Sequence, residues 1–176
     1  MNTNIDDETR AKAKEFIDNP VKVIRVGSDN FTKAMTHVVK WEGGYVNHPN
    51  DPGGETKFGI SKRSYPHLDI KNLTLKDAFS IYYFDYWRPL HLDDLEFDLA
   101  ASIFDAAINV GITRVRGWIR DLEGFNRHEK GRLTAAQFND RREKYYKDLV
   151  AAKPEMAVFE KGWNNRLASL RDFVNG

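Results

Sequence analysis

The stretch that decides the fold reads WEGGYVNHPNDPGGETKFGIS and runs from Trp41 to Ser61. Before it, four apolar residues recur at the spacing of one helix face, which predicts a helix that ends at this stretch. They are Phe31, Met35, Val38 and Val39. The Gly43-Gly44 pair suits the left-handed conformation that ends many helices, so Glu42 is expected at the helix C-terminus.

The position of Glu42 is typical of a general acid. The helix dipole is negative at that end, and the apolar surfaces of Trp41 and Tyr45 lie next to Glu42 in the sequence. Both effects disfavour an ionised carboxylate, and a carboxyl group that keeps its proton can donate it to a leaving group. Taken alone, a Glu beside two glycines is more often a solvated surface residue.

The residues after Glu42 predict a small β-lobe. Turn-forming residues fill the segment between Tyr45-Val46 and Phe58-Gly59-Ile60, which indicates a short hairpin or an irregular lobe that folds back beside the helix end. Asp51 and Thr56 lie on this lobe. In isolation Asp51 is a common turn residue and Thr56 carries no signal.

The pattern Glu-x8-Asp-x4-Thr resembles the catalytic signature of the lysozyme-like superfamily. Three short motifs are similar to those of the N-acetylmuramidases of glycoside hydrolase family 108: Glu-Gly-Gly-Tyr, Asn-Asp-Pro-Gly-Gly-Glu-Thr and Phe-Gly-Ile-Ser. Further similarity lies in Tyr86–Leu90, in Phe104–Gly111 and in Lys161–Arg166, the last resembling the predicted peptidoglycan domain that usually follows the catalytic part.

The resemblance implies a mainly α, lysozyme-like fold with a small β-hairpin lobe beside the active-site cleft. It implies hydrolysis of the β-1,4 bond between N-acetylmuramic acid and N-acetylglucosamine in peptidoglycan, without a cofactor or a metal. Glu42 would be the general acid, Asp51 would stabilise positive charge or help to orient water, and Thr56 would hold the water or the substrate. The candidate substrate-binding residues are Tyr45, His48, Trp87 and Asn109.

The helices after the lobe leave two questions open. Thr74-x-x-Asp77 begins a helix that Pro89 stops, and its aromatic residues suit either a core or a sugar-binding face, with Trp87 as the sugar-binding candidate. Residues 97–110 predict a central helix in which Asn109 either faces substrate or caps the helix end. Asp105 in that helix is either a salt-bridge partner or a cleft residue.

The C-terminal part predicts three helical segments. Thr113 is expected to cap a short helix, and residues 124–132 read as a polar loop. Thr134 and Gln137 form a capping box for a helix that reaches about Ala152. Four basic residues of this helix are expected to face solvent: Arg141, Arg142, Lys144 and Lys147. Pro154 is expected to begin the last helix, and the last two helices should dock on the central one.

The length of 176 residues predicts one muramidase domain over residues 31–176, preceded by an N-terminal arm over residues 1–30 with a short helix near Asp6–Ile17. The catalytic part is expected over about 31–111 and the C-terminal helices over about 112–176. The sequence has no cysteine, so it contains no disulfide or thiolate metal site.

The net charge of +1 gives no reason to expect nucleic acid as a partner, and no segment reaches the roughly 18 apolar residues of a membrane span. We expect a monomer that is made soluble in the host bacterial cytoplasm. It would act on the glycan strands of the cell wall after holin-type release through the inner membrane, or after delivery by another route. A phage endolysin, a virion lysin and a secreted effector all fit this expectation.

Two other functions remain open at this point. A lytic transglycosylase shares the fold and the single acid, although it often lacks the Asp that Asp51 supplies here. A module that binds the wall without cleaving it is the non-enzyme alternative. The sequence contains none of the motifs of a serine hydrolase, a zinc protease or a phosphate-binding loop.

Overall fold

The computed structural model describes residues 26–47, 54–128 and 132–176, with no side-chain detail for 125–128. Within it the chain forms two compact units, one ending at Asp85 and one spanning Tyr86–Gly176. The predicted N-terminal helix near Asp6–Ile17 lies outside the described residues. The expected domain boundaries stay a prediction.

Helix α1 of the first unit spans Asp29–Trp41. The Ser28 side chain caps it by accepting a hydrogen bond from the Phe31 backbone N–H, at 3.2 Å. The four apolar residues of the predicted face are all buried, which confirms the helix and its orientation. Glu42 is the C-terminal cap, as expected.

The predicted role of the Gly43-Gly44 pair is wrong. Helix α1 ends because Glu42 itself turns to an extended conformation, with φ −85° and ψ 123°, and neither glycine has a positive φ. The Gly43 carbonyl instead accepts a hydrogen bond from the Phe58 N–H at 3.0 Å. The extended conformation of Glu42 already directs the chain toward this hydrogen bond with Phe58. A residue with a left-handed backbone is therefore not needed at Gly43 or Gly44.

The lobe is a small antiparallel sheet of β1, Thr56–Lys57, and β2, Ile60–Ser61. The two residues between the strands, Phe58 and Gly59, have φ of 52° and 77°. Positive φ at both central positions is the pattern of a type I′ turn, which matches the twist of a two-residue hairpin. Val46 pairs with Thr56 beside this hairpin, so the predicted return of the chain toward Val46 is confirmed.

Helix α2 spans Leu75–Tyr82 and begins with the predicted capping box of Thr74 and Asp77. The helical path does not continue as an α-helix to Pro89. It widens into a π-helical turn over Tyr83–Trp87, which is followed by 3₁₀ turns over Arg88–Leu90 and Leu92–Asp94.

Helix α3 of the second unit spans Phe97–Val110, as predicted, and nine of its residues are buried. Helix α4, Ile112–His128, follows after one residue, Gly111, whose φ is 92°. Two expectations are therefore corrected. Thr113 lies inside α4 and does not cap it, and the polar run after Gly124 continues the helix to His128 because polar residues are compatible with an exposed helix face.

Helix α5, Ala135–Ala152, begins with the predicted capping box of Thr134 and Gln137. A 3₁₀ turn over Pro154–Met156 leads into helix α6, Ala157–Asn175. Helices α5 and α6 both pack on α3, which confirms the predicted docking. Arg142 was expected in solvent, but its side chain is fully buried because it pairs with Asp105 of α3.

These elements confirm a mainly α fold with a small β-lobe. In the part of the chain that the structure describes, no helix is both long enough and apolar enough to cross a membrane.

Candidate active site

Glu42 is half-buried at the end of α1. Its backbone N–H continues the helical ladder by donating to the Val38 carbonyl at 2.9 Å, so the position of its α-carbon is fixed by the helix. The neighbouring Trp41 leaves 37% of its surface exposed. A partly exposed carboxyl group on a rigid element is the arrangement that proton donation to a bound substrate requires.

The Glu42 carboxyl group fills the space where Gly59 would carry a side chain. A Cβ atom on Gly59 would collide with the Glu42 Oε2, and it would lie 2.8 Å from the Glu42 Cδ and 2.6 Å from the Tyr82 hydroxyl oxygen. Glycine at this turn position therefore meets two demands, a positive φ and close approach of two side chains.

Tyr82 supports this contact from α2. Its side chain is only 2% exposed, and its hydroxyl group donates to the Phe58 carbonyl at 2.7 Å. A hydroxyl group has one proton, so on the Gly59 side Tyr82 presents the lone pairs of its oxygen. The end of α1, the turn of the lobe and the end of α2 thus meet at Gly59, and the Glu42 carboxyl group lies there.

Thr56 and Tyr45 lie on the adjoining part of the lobe. Thr56 exchanges two backbone hydrogen bonds with Val46, of 2.7 and 2.8 Å, and its hydroxyl group donates to the Gly54 carbonyl over a long 3.4 Å. Tyr45 donates to the Glu55 Oε1 at 2.8 Å. This bond to a carboxylate raises the pKa of Tyr45 above its ordinary value, so the phenol stays neutral.

His48 and Asp51 lie outside the described residues, within the segment that joins Asn47 to Gly54. Their proposed roles, and the separation of the Asp51 and Glu42 carboxyl groups, stay predictions.

Trp87 belongs to the core of the second unit. It is fully buried, its ring packs edge-on against Phe104 at 5.2 Å between centroids, and its indole N–H donates to the Asp93 Oδ1 at 2.7 Å. Of the two possibilities that the sequence left open, the core role fits this environment, because neither ring face is available to a sugar.

Asn109 is partly exposed near the end of α3, and its Oδ1 accepts a 2.6 Å hydrogen bond from the Tyr146 hydroxyl group. Gly111, not Asn109, is the C-cap of α3. Asp105 is a salt-bridge partner: it pairs with Arg142 and Arg166, each at 2.8 Å. These contacts show that Asp105 is a salt-bridge partner and that Asn109 does not cap α3. The substrate role of Asn109 stays a prediction.

The second unit also has a groove of about 720 Å³, formed by the 3₁₀ turns and by α3, α4 and the start of α5. Trp87 and Asn109 do not line it. Across residues 26–47, 54–128 and 132–176, no group of three or more His, Cys, Asp and Glu side chains has the arrangement of a metal site.

Part of the chain is similar to a known protein family. Residues 35–111 match the model of the family described as Glycosyl hydrolase 108. The solved structure of SagA from Brucella abortus is similar to this chain, with 29% sequence identity and a TM-score of 0.65, over 82% of this chain and 92% of the SagA chain. None of the curated protein sequences matches the chain.

The match of residues 35–111 to the Glycosyl hydrolase 108 model and the similarity to SagA support a glycosidase with peptidoglycan as its substrate class. The matched segment contains the helix end, the lobe and α3, from Met35 to Gly111. It ends before Lys161–Arg166, so the resemblance of α6 to a peptidoglycan domain stays a prediction.

Sequence reasoning missed the contribution of two residues, Gly59 and Tyr82. The motif Phe-Gly-Ile-Ser contains Gly59 and contributed to the family resemblance. The motif by itself gives no physical reason for the glycine. Tyr82 is one of the aromatic residues of the helix predicted before Pro89, and its sequence position gives no indication that its hydroxyl group reaches the Phe58 carbonyl 24 residues earlier.

Proposed function

We propose that this protein is an N-acetylmuramidase that hydrolyses the β-1,4 bond between N-acetylmuramic acid and N-acetylglucosamine, with Glu42 as the general acid. The observation that carries the proposal is the position of the Glu42 carboxyl group against Gly59, within the segment that matches the Glycosyl hydrolase 108 model. Glycine there leaves room for one specific carboxyl group and places it at the edge of the lobe.

In the proposed reaction the Glu42 carboxyl group donates its proton to the glycosidic oxygen as the C–O bond of the muramic acid breaks. Positive charge develops on the sugar ring, and Asp51 would stabilise that charge or orient the attacking water. Water then adds its oxygen to the anomeric carbon, and the proton that it releases restores the acid. Thr56 would hold the water or the substrate, while Tyr45 and His48 would contact the glycan.

The neutral state of Tyr45 supports its part in this proposal. Tyr45 donates its hydroxyl proton to Glu55, so the phenol is uncharged, and an aromatic ring of this kind suits contact with a neutral sugar. Trp87 is left out because it is fully buried. An endolysin role with release through a holin-type pore stays a prediction from the sequence.

The test is the substitution Glu42→Gln with purified sacculi as substrate. Gln is nearly isosteric but donates no acidic proton, so the variant should fold and sediment with sacculi as the wild type does, and it should lose roughly 10²–10⁴-fold in clearing rate. Glu155→Gln is the control, because Glu155 is exposed on the turn before α6. A Glu42→Gln enzyme that clears within a few-fold of wild type contradicts the assignment.

Mass spectrometry of the products separates the alternatives. Hydrolysis gives a reducing muramic acid end, whereas a lytic transglycosylase closes the 6-hydroxyl group onto the anomeric carbon and gives a product lighter by one water. A wild-type protein that binds sacculi and releases no product is the wall-binding module.

A further inference from the structure

The buried hydroxyl group of Tyr82 has two oxygen atoms next to it. It donates to the Phe58 carbonyl oxygen at 2.7 Å, and Tyr82 is only 2% exposed. A Cβ atom on Gly59 would collide with the Glu42 Oε2 and would lie 2.6 Å from the Tyr82 hydroxyl oxygen. The carboxyl oxygen and the hydroxyl oxygen therefore border the same small space. A tyrosine hydroxyl group has one proton, so Tyr82 can donate fully to only one acceptor oxygen at a time.

The turn of Phe58 and Gly59 does not depend on the Tyr82 hydrogen bond alone. The Phe58 N–H donates to the Gly43 carbonyl at 3.0 Å, the paired strands β1 and β2 flank the turn, and Phe58 is itself buried. Phe58 keeps a φ of 52°, which a residue with a side chain adopts where its surroundings hold it there. We expect these contacts to keep the turn in place when the Tyr82 hydroxyl group donates elsewhere.

The charge of Glu42 changes during the proposed reaction. As the C–O bond breaks, its electron pair passes to the glycosidic oxygen, and this oxygen takes the proton of the Glu42 carboxyl group. Resonance spreads the resulting negative charge over both carboxylate oxygens, so Oε2 becomes a strong acceptor whichever oxygen carried the proton. A hydrogen bond to an ionised acceptor is roughly twice as strong as one between neutral groups. The preferred acceptor of the Tyr82 proton therefore changes from the Phe58 carbonyl to the Glu42 Oε2.

We infer that Tyr82 is a positioning residue that acts through Glu42. Its hydroxyl group donates to the Phe58 carbonyl while Glu42 is protonated, and it turns to the Glu42 Oε2 as the carboxylate forms. The proton stays bonded to the Tyr82 oxygen throughout, and the hydroxyl group turns back when the attacking water returns a proton to Glu42. An interaction that forms only as charge develops lowers the barrier without tightening the binding of substrate. The inference rests on the proposed function.

The first test is Tyr82→Phe with soluble glycan fragments as substrate. Phenylalanine keeps the ring and removes the hydroxyl group. Loss of one electrostatic donor typically costs on the order of 10²–10³-fold in rate, but Tyr82 gives up its bond to Phe58 in exchange. We therefore expect kcat to fall by about 10–10²-fold with KM nearly unchanged. Tyr65→Phe is the control, because it removes a hydroxyl hydrogen bond of the same 2.7 Å length, to Asp85 in the same unit, and should leave kcat unchanged.

The second test changes the leaving group. A nitrophenyl glycoside of an N-acetylmuramic acid fragment releases a phenolate, which is stable without a proton, so its cleavage depends little on the acid. The release of nitrophenol is measured in the first turnover, before any step in which Glu42 acts as a base. Tyr82→Phe and Glu42→Gln should both release it at a rate within a few-fold of the wild type. A variant that is merely misfolded would lose both substrates to the same extent.

Three results overturn the inference. They are a wild-type kcat for Tyr82→Phe, an equal loss on the two substrates, and a crystal structure of Tyr82→Phe in which the Glu42 carboxyl group has moved away from Gly59. The last result would assign the loss to displacement of the acid. The proposed function is judged separately: if Glu42→Gln cleaves glycan fragments at nearly the wild-type rate, Glu42 is not the acid, and the inference fails with it whatever Tyr82→Phe does.

Discussion

Two glycines of the lobe share a left-handed backbone but differ in what surrounds their α-carbons. Gly54 has a φ of 67°, and a Cβ there would lie 3.8 Å from the Lys62 Cβ, an ordinary contact. Gly59 has a φ of 77°, and a Cβ there would collide with Glu42 and Tyr82. The pair therefore separates the energetic cost of a left-handed backbone from the cost of displacing the Glu42 carboxyl group.

We predict that Gly59→Ala abolishes clearing of sacculi while Gly54→Ala preserves it. Both changes carry the strain of a left-handed alanine, about 1–2 kcal/mol. Only Gly59→Ala moves the Glu42 carboxyl group, and a misplacement of about 1 Å can cost on the order of 10²-fold in rate. Clearing rates are measured below the thermal midpoint of the less stable variant. Equal losses in the two variants would show that backbone strain alone explains the effect.

The sequence predicted that Glu42 ends α1, but it did not predict the contact of its carboxyl group with Gly59. Glu42 could be placed because helix periodicity and helix ends are local properties of the chain. The contact with Gly59 joins segments that only the tertiary structure brings together. Arg142 shows the same limit, since a basic residue in a polar helix is normally exposed and only its partner Asp105, 37 residues earlier, explains its burial.

The capping boxes at the starts of α2 and α5 differ in one property: Asp77 in the first is titratable, whereas Gln137 in the second is not. Thr74 donates from its backbone N–H and from its hydroxyl group to the Asp77 Oδ2, at 2.9 and 2.6 Å. Thr134 makes the corresponding bonds to the neutral Gln137 amide, at 3.1 and 3.3 Å. The bonds from Thr74 hold the pKa of Asp77 below its usual range. A lowered folded-state pKa stabilises the protein above the unfolded pKa of about 3.9 and loses that contribution as the pH falls through the folded value.

We therefore predict that Thr74→Ala and Thr134→Ala respond differently to pH. Each should lower the free energy of unfolding by about 1 kcal/mol at neutral pH, the usual cost of a lost N-cap. The cost of Thr74→Ala should shrink below about pH 4, because protonated Asp77 no longer gains from the Thr74 bonds. Urea unfolding at neutral pH and at the lowest pH of the folded protein measures the difference. A parallel decrease for Thr134→Ala would assign the effect to general acid destabilisation.

Both capping boxes and the bounds of α3 could be predicted because their signals are local. The bounds of α4 could not. Gly117 and Gly124 lie inside this helix, although each glycine disfavours a helix by about 1 kcal/mol relative to alanine. Val115 and Trp118 are buried on its inner face, and their packing outweighs the weak local preference of the polar residues that follow.

The C-terminal end of the family match does not coincide with the end of a folded unit. The match ends at Gly111, which lies between α3 and α4. The nine buried residues of α3 include Leu99, Ile103 and Phe104, and the helix packs on α4, α5 and α6. Burial of each such large apolar side chain is worth roughly 1.5–3 kcal/mol. The C-terminal helices thus supply most of the core around α3.

We predict that a chain ending at Gly111 does not fold, although it contains the whole family match. It would expose the apolar side of α3 and leave Asp105 without Arg142 and Arg166, and the loss of buried partners for a charge typically costs about 3–5 kcal/mol in itself. The sum is comparable to the total stability of an average domain, 5–15 kcal/mol. Expression of residues 1–111 should give insoluble protein or a chain without a cooperative thermal transition by circular dichroism, whereas residues 1–176 should unfold cooperatively. A soluble 1–111 chain that unfolds cooperatively and clears sacculi would show that the catalytic part is an independent folding unit and that α4 to α6 serve another purpose.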